Sequence, residues 1–294
     1  MFQFIHDHET KHSVVKMCSA LKVSRQGYIN WRNRMLNPNL EKQAIKDELQ
    51  HKIAQSFHES GGTYGSPRVH DDLLDWGYSI SQKKVANMMK EMELCATVPS
   101  KFMVTTDSNH DQQIYPNILN RQFSVAQPNH VWVADITYIW TNEGWLYLSS
   151  IMDLYSRKII GWALDSHMRK ELPMQALNIA LGSRKITGEL IHHSDRGVQY
   201  SSHAYVDTLL SNKIQVSMSR KGDPYDNACI ESFHATIKKE LVYRRKFKTR
   251  EEARKSISSY IVSFYNERRK HSTLGYLSPN KFERKCNLFA LESI

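Results

Sequence analysis

Apolar residues recur at helical spacing through the first third of the chain, then give way to dense β-branched and aromatic runs. In VVKMCSALKVSRQGYINWRNRML the helical period breaks at LKVS, where Ser24 is placed to cap a second helix opening with Arg25 and Gln26. The arrangement repeats: SPRVHDDLLDW reads as a helix, Gly77 as a turn, and Ser81 as the cap of SQKKVANMMKEMEL. Helix, short turn and capped basic helix is the helix-turn-helix pattern. Residues 1–97 are therefore expected to form an all-α DNA-binding region. Arg25, Gln26, Gln82, Lys83 and Lys84 occupy the first turns that would face base edges. Taken alone, the pattern fits a small helical bundle equally well.

Residues 98–129 are polar and poorly periodic, with Pro116 and Pro128 as breakers, and read as a linker. HVWVADITYIW, WLYLSSIMDLY and KIIGWALD then read as three strands joined by the short polar breaks TNEG and SR. A helix (KELPMQALNIALGSRK), a strand (ELIHHSD), a helix (YVDTLLSNK) and a strand (IQVSMS) follow. This order predicts an α/β unit over 130–245, a mixed five-stranded sheet with helices on both faces. RKGDPYDNA, rich in Gly, Pro and Asp, reads as a mobile loop. Two basic helices are expected at roughly 229–245 and 249–267, and residues 246–294 as a basic helical extension.

Charge sharpens this division. The chain of 294 residues carries a formal net charge of +10, and residues 213–285 alone hold 18 basic and 8 acidic residues. A basic block interleaved with Tyr, Phe and periodic Leu and Ile suggests a folded surface for a polyanion. Its candidate phosphate contacts are Arg220, Lys221, Lys238, Lys239, Arg244 and Arg245. Four scattered cysteines, with no C-x-x-C pair, indicate neither a structural zinc site nor a disulfide framework. No apolar stretch reaches the about 18 residues of a membrane span, and the start lacks a secretory signal. A soluble, cytoplasmic, reduced protein is expected.

Three acids stand out: Asp135 in WVADITYI, Asp195 in IHHSDRGVQY and Glu231 in DNACIESFHATIKKE, with 59 and 35 residues in the two intervals. A carboxylate inside an apolar strand is costly unless paired or bound to metal. Asp195 closes a strand at the end where α/β sites gather. Glu231 opens a basic helix, and Lys238, about two turns on, shares its face. Three such carboxylates suit two divalent cations and phosphoryl transfer. Singly, each has a plainer reading: a satisfied strand-edge Asp, an ion-paired turn, a favourable charge at a helix start. His234, one turn beyond Glu231, reads as a surface residue or a DNA contact. Asp153 lies near a strand end with Arg157 as a partner. His192 and His193 raise a zinc site with Asp195, although alternation along a strand lets at most one of them join it.

With these motifs in view, the chain resembles the second-reading-frame (OrfB-type) transposases of bacterial insertion sequences, which carry a DDE, retroviral-integrase-like catalytic core. The likeness runs through YGSPRVHDDL, PNHVWVADITYI, WLYLSSIMDLYSRKIIGWAL, HHSDRGVQYSS, SMSRKGDPYDNACIESFHATIKKE and YNERRKHSTLGYLSP. It implies an RNase H-like fold, with Asp135, Asp195 and Glu231 as the catalytic and metal-binding triad. It also implies two Mg²⁺ ions, replaceable by Mn²⁺, and DNA strand cleavage and transfer on insertion-sequence terminal repeats and target DNA. A homo-oligomer on DNA, an upstream-frame partner or fusion, and a nucleoid-associated location follow from the same likeness. The rival readings are an inactive DNA-binding regulator of transposition and an RNase H-like nuclease that cleaves without joining.

Overall fold

The computed structural model describes residues 1–36, 40–96, 112–221 and 223–292. The chain divides into two units, Met1–Cys95 and Ala96–Ile294.

The first unit is wholly helical among its described residues. Helices α1 (Phe2–His8), α2 (Val14–Ala20) and α3 (Arg25–Leu36) bury Ile5, Met17, Cys18 and Tyr28 between them. Ser24 caps α3 as its position predicts, its Oγ accepting from Gly27 N at 3.2 Å. Helices α4 (Leu40–Glu59), α5 (Ser66–Asp75) and α6 (Gln82–Glu91) pack on one another. Gly77 takes φ +86° in the turn after α5, a conformation that a Cβ disfavours. Ser81 caps α6 through Lys84 N at 3.3 Å.

In the second unit the β-branched and aromatic runs form β1 (Val131–Thr141), β2 (Gly144–Asp153), β3 (Lys158–Asp165), β4 (Leu190–Ser194) and β5 (Ile214–Met218). The order across the sheet is β3-β2-β1-β4-β5. β1, β2 and β3 are antiparallel neighbours, whereas β4 and β5 run parallel to β1. This is the RNase H-like mixed sheet. Helices α7 (Glu171–Ser183) and α8 (His203–Ser211) cover one face, burying Trp132, Ala134, Leu177 and Leu209. α9 (Ala228–Glu240) and α10 (Arg250–Ser259) cover the other with Val133, Ile139, Leu148, Phe233 and Ile257; α11 (Pro279–Glu292) ends the described chain. A Cβ on Gly161 of β3 would lie 2.2 Å from Ala176 O, so the missing side chain is what lets α7 sit directly on the sheet.

Three expectations change. RKGDPYDNA is not a loose loop where it is described, because Pro224–Asn227 forms a 3₁₀ turn around buried Asp226; Gly222 lies outside the described residues. Asp226 accepts from Arg220 Nε, N and Nη2 (2.9, 2.9 and 2.7 Å), Arg121 Nε (2.8 Å) and Asn117 Nδ2 (2.9 Å). Five donors on one carboxylate hold the turn, and the Arg220 hydrogen bonds, first among the causes, keep its acid far below the usual range. The expected linker falls partly on residues 97–111, outside the described set, but residues 112–129 pack on the sheet. Ser217 Oγ accepts from Ile118 N and Leu119 N at 2.9 and 3.2 Å, and Leu119 is buried. The basic extension joins the core as well, through Phe247, Ala253, Ile257, Ile261 and Tyr265.

Candidate active site

β1 and β4 pair as Val131↔Ile191, Trp132↔His192 and Val133↔His193, and β4 ends at Ser194. Asp195 is the residue just past the C-terminal end of β4, and Asp135 lies two residues past the last paired position of β1. Strand adjacency thus brings the segments that carry these two carboxylates, far apart in sequence, side by side. Asp195 is held in a tight turn, its Oδ1 accepting from Gly197 N at 2.9 Å, while Arg196 Nε donates to Ser219 O at 2.6 Å. A Cβ on Gly197 would crowd Asp195 Oδ1 at 3.0 Å.

Glu231 reaches the site because the start of α9 is fixed to β1. Asn227, at the N-cap position, donates from Nδ2 to Ala134 O at 3.1 Å, one residue before Asp135. The Asp226 cluster anchors the turn just ahead of it. Three residues of α9 then address Asp135 electrostatically or by contact. Burial and, after it, the charge of Asp135 push Glu231 up to about 7. His234, buried, places Nδ1 3.1 Å from Asp135 Oδ2 and Nε2 2.6 Å from Ser150 Oγ. Lys238, half-buried, has its ammonium lowered by desolvation and held up by the attraction of Asp135, and lies 4.4 Å from the Tyr138 ring centroid. The Tyr200 hydroxyl, enclosed beside Ser149, is raised well above the usual range, first by burial and then by neighbouring charges that include both Asp135 and Asp195.

Glu231 is thus tied electrostatically to Asp135, but the acids are not closed into a ligand shell. Among the described residues no three His, Cys, Asp or Glu side chains are grouped to hold a metal ion. The chemistry of the set nonetheless fits a hard divalent cation: oxygen donors only, with mutual repulsion between Asp135 and Glu231 that a cation would relieve. The zinc reading finds no support. His192 Nε2 meets Tyr205 Oη at 3.0 Å, and His193 meets Ser217 and Ser219 at 2.8 and 3.1 Å. Burial pushes these imidazoles down to about 3 and about 4 respectively.

The other predicted residues are dispersed. Lys239 and Arg245 are exposed and Arg244 half-buried, on α9 and the turn after it. Lys221 is exposed, and Arg220 is engaged by Asp226. Arg25, Gln26, Gln82, Lys83 and Lys84 are all exposed in the first unit. Asp153 does not depend on Arg157. It is fully buried, accepts from Asn129 N and Tyr155 N at 3.0 and 3.1 Å, and lies 3.9 Å from Arg184, while Arg157 donates to Phe123 O. His234 is likewise not a surface residue. Its spacing of three from Glu231 was the available signal; Asn227, Ser150, Tyr200 and Tyr138 gave none.

An integrase core domain model matches residues 125–224, and a second integrase core domain model matches 212–279. An HTH-like domain model matches residues 44–102, which takes in most of α4, all of α5 and the Ser81-capped α6 but not the Ser24 pair. The insertion element IS600 uncharacterized 31 kDa protein of Shigella sonnei is 41% identical over 93% of this chain and 100% of its own length. Transposase InsF for insertion sequence IS3A of Escherichia coli is 37% identical over 97% of this chain and 98% of its own. Matched by integrase core models and alike over nearly its whole length, the chain belongs to the InsF family of insertion-sequence transposases and is a DNA transposase.

Proposed function

We propose that Asp135, Asp195 and Glu231 are the catalytic carboxylates, and that they hold two Mg²⁺ ions, or Mn²⁺ in their place. The observation that carries this reading is the electrostatic tie of Glu231 to Asp135, on a strand that pairs in parallel with β4, the strand that Asp195 follows. When bound, such a pair of ions activates the attacking water or 3′-hydroxyl and stabilises the leaving oxygen. The chain's own residues do the rest. In this reading Asp135 would help hold both ions. His234 fixes its rotamer, and Lys238 offers an ammonium to a phosphate lying across α9. Gly197 and Asn227 hold the backbones that present Asp195 and Glu231.

The substrate in this reading is the terminal repeats of an insertion sequence and a target duplex. The first unit supplies address, and the basic block around α9 supplies phosphate contacts. Action as a homo-oligomer on DNA, with an upstream-frame product as partner or fusion, belongs to the same proposal. So does a cytoplasmic, nucleoid-associated location; no helix among the described residues is long and apolar enough to cross a membrane. The test is strand cleavage and joining on DNA carrying the element's ends. Asp135→Asn, Asp195→Asn and Glu231→Gln should each abolish both reactions with the fold retained. Joining at about a tenth of wild type or more in any one variant would remove that carboxylate from the required set. Cleavage without joining by the wild-type chain would favour a nuclease.

A further inference from the structure

The end of the β1–β2 hairpin presents aromatic side chains to solvent. Trp140 and Trp145 pair across the two strands, their rings edge-to-face at 4.8 Å, and remain 57% and 41% exposed. Tyr138 meets Trp145 at 5.0 Å and 89°. Exposed indoles at this density are a costly use of surface unless something covers them. The hairpin is rigid: Arg250 Nε donates to Trp145 O at 3.0 Å, Arg250 N to Glu143 Oε2 at 2.7 Å, and Asn142 N to Phe247 O at 3.0 Å. A platform held this way needs no ordering on binding.

Its position suggests what covers it. Tyr138 lies three residues past Asp135 on the same strand, about 10 Å along it, and alternation turns its side chain to the other face of the sheet. The Lys238 ammonium touches the Tyr138 ring and also feels Asp135, so it links the aromatic strip to the acids. Lys238 makes this rim cationic, and Lys239 and Arg245 are exposed a few residues on in the sequence. A second copy of this chain would bring like charge to that rim, since each carries +10. A polyanion with flat apolar faces fits both the rim and the rings. In a duplex those faces are hidden by stacking, so the matching form is unpaired.

We propose that Tyr138, Trp140 and Trp145 form a stacking platform for unpaired nucleobases of the strand whose phosphate lies at Lys238. The inference rests on the reading of the three carboxylates as the cleavage site, but its test does not use cleavage. Affinity of the full chain is measured in EDTA, at one salt concentration, for a blunt duplex and for the same duplex with an unpaired single-stranded extension. The extended DNA should bind more tightly and quench tryptophan fluorescence. Trp140→Ala with Trp145→Ala should lose about tenfold in affinity for the extended DNA and leave the blunt duplex unchanged. Trp140→Phe with Trp145→Phe should retain the preference. Equal wild-type affinity for the two DNAs, or a preference that survives in the alanine variant, overturns the proposal. An alanine variant that loses self-association in sedimentation while keeping its preference overturns it too, and gives the strip to a second copy. Because no metal is present, any of these failures leaves the carboxylate variants as an independent measure of the cleavage site.

Discussion

His234 bridges a cross-strand pair: Asp135 and Ser150 face each other across β1 and β2, and the imidazole contacts both, at 3.1 Å and 2.6 Å. A carboxylate only accepts, so the network assigns the proton to Nδ1, which donates to Asp135, and the Ser150 hydroxyl donates to Nε2. The helix that carries Glu231 thereby fixes the orientation of the strand's acid.

Removing this support should weaken metal use while leaving DNA binding intact. His234→Ala is expected to raise the half-saturating Mg²⁺ concentration for cleavage, or lower its rate, about 10–100-fold. His234→Asn, whose amide nitrogen can donate where Nδ1 does, should recover part of the loss. Identical Mg²⁺ titrations for all three proteins would reduce His234 to a packing residue.

Glu231 makes stability depend on pH in a defined direction. Its folded value, about 7, lies above the ordinary 4.5, chiefly through burial and then through Asp135. The protonated form is favoured in the fold, so its contribution is fully present below 4.5 and is lost as pH rises through 7. In EDTA at about pH 8, Glu231→Gln should melt a few degrees above wild type, and the gap should close below about pH 4.5. Divalent cation added at the higher pH should stabilise wild type more than the variant. Melting curves at the two pH values decide the matter.

Asp226 acts in the opposite sense. Its folded acid is depressed, first by the Arg220 hydrogen bonds, so its stabilisation is present above the ordinary 3.8 and is lost as pH falls toward the lower folded value. Asp226→Asn should lower the melting temperature at neutral pH, with the difference shrinking below about pH 4. The same variant should impair cleavage, because the turn ahead of α9 loses its anchor. Full activity would show that Asn227 alone places Glu231.

The basic block should set the salt dependence of DNA binding. Replacing Lys238, Lys239, Arg244 and Arg245 together by alanine should flatten the plot of log K against log salt, by about 0.9 for each phosphate no longer neutralised. An unaltered slope would assign phosphate neutralisation to other parts of the chain.

Address is expected from the first unit, and from α6 in particular. Gln82→Ala with Lys83→Ala and Lys84→Ala should cut the preference for terminal over scrambled DNA about fivefold or more at fixed salt. The equivalent change at Arg25 and Gln26 tests the Ser24-capped helix in the same way. Preference undiminished in both variants would assign recognition to a partner.

Much of this protein is legible in one dimension. The caps at Ser24 and Ser81, the turn at Gly77 and the buried apolar run that opens β1 are local matters: a backbone donor near a hydroxyl, a positive φ, a stretch of β-branched and aromatic residues. The motifs also supply the identities of Asp135, Asp195 and Glu231. What they do not supply is how the segments that carry those three are placed. That depends on β4 inserting beside β1, on Asn227 tying α9 to Ala134, and on Asp226 drawing in Asn117 and Arg121 from more than a hundred residues away. Nor does the sequence distinguish a surface histidine from His234, or the Arg157 partner expected for Asp153 from the backbone donors it has. Periodicity records which face of an element avoids water. The partner of a buried polar group is chosen by whichever donors the finished packing brings within about 3 Å.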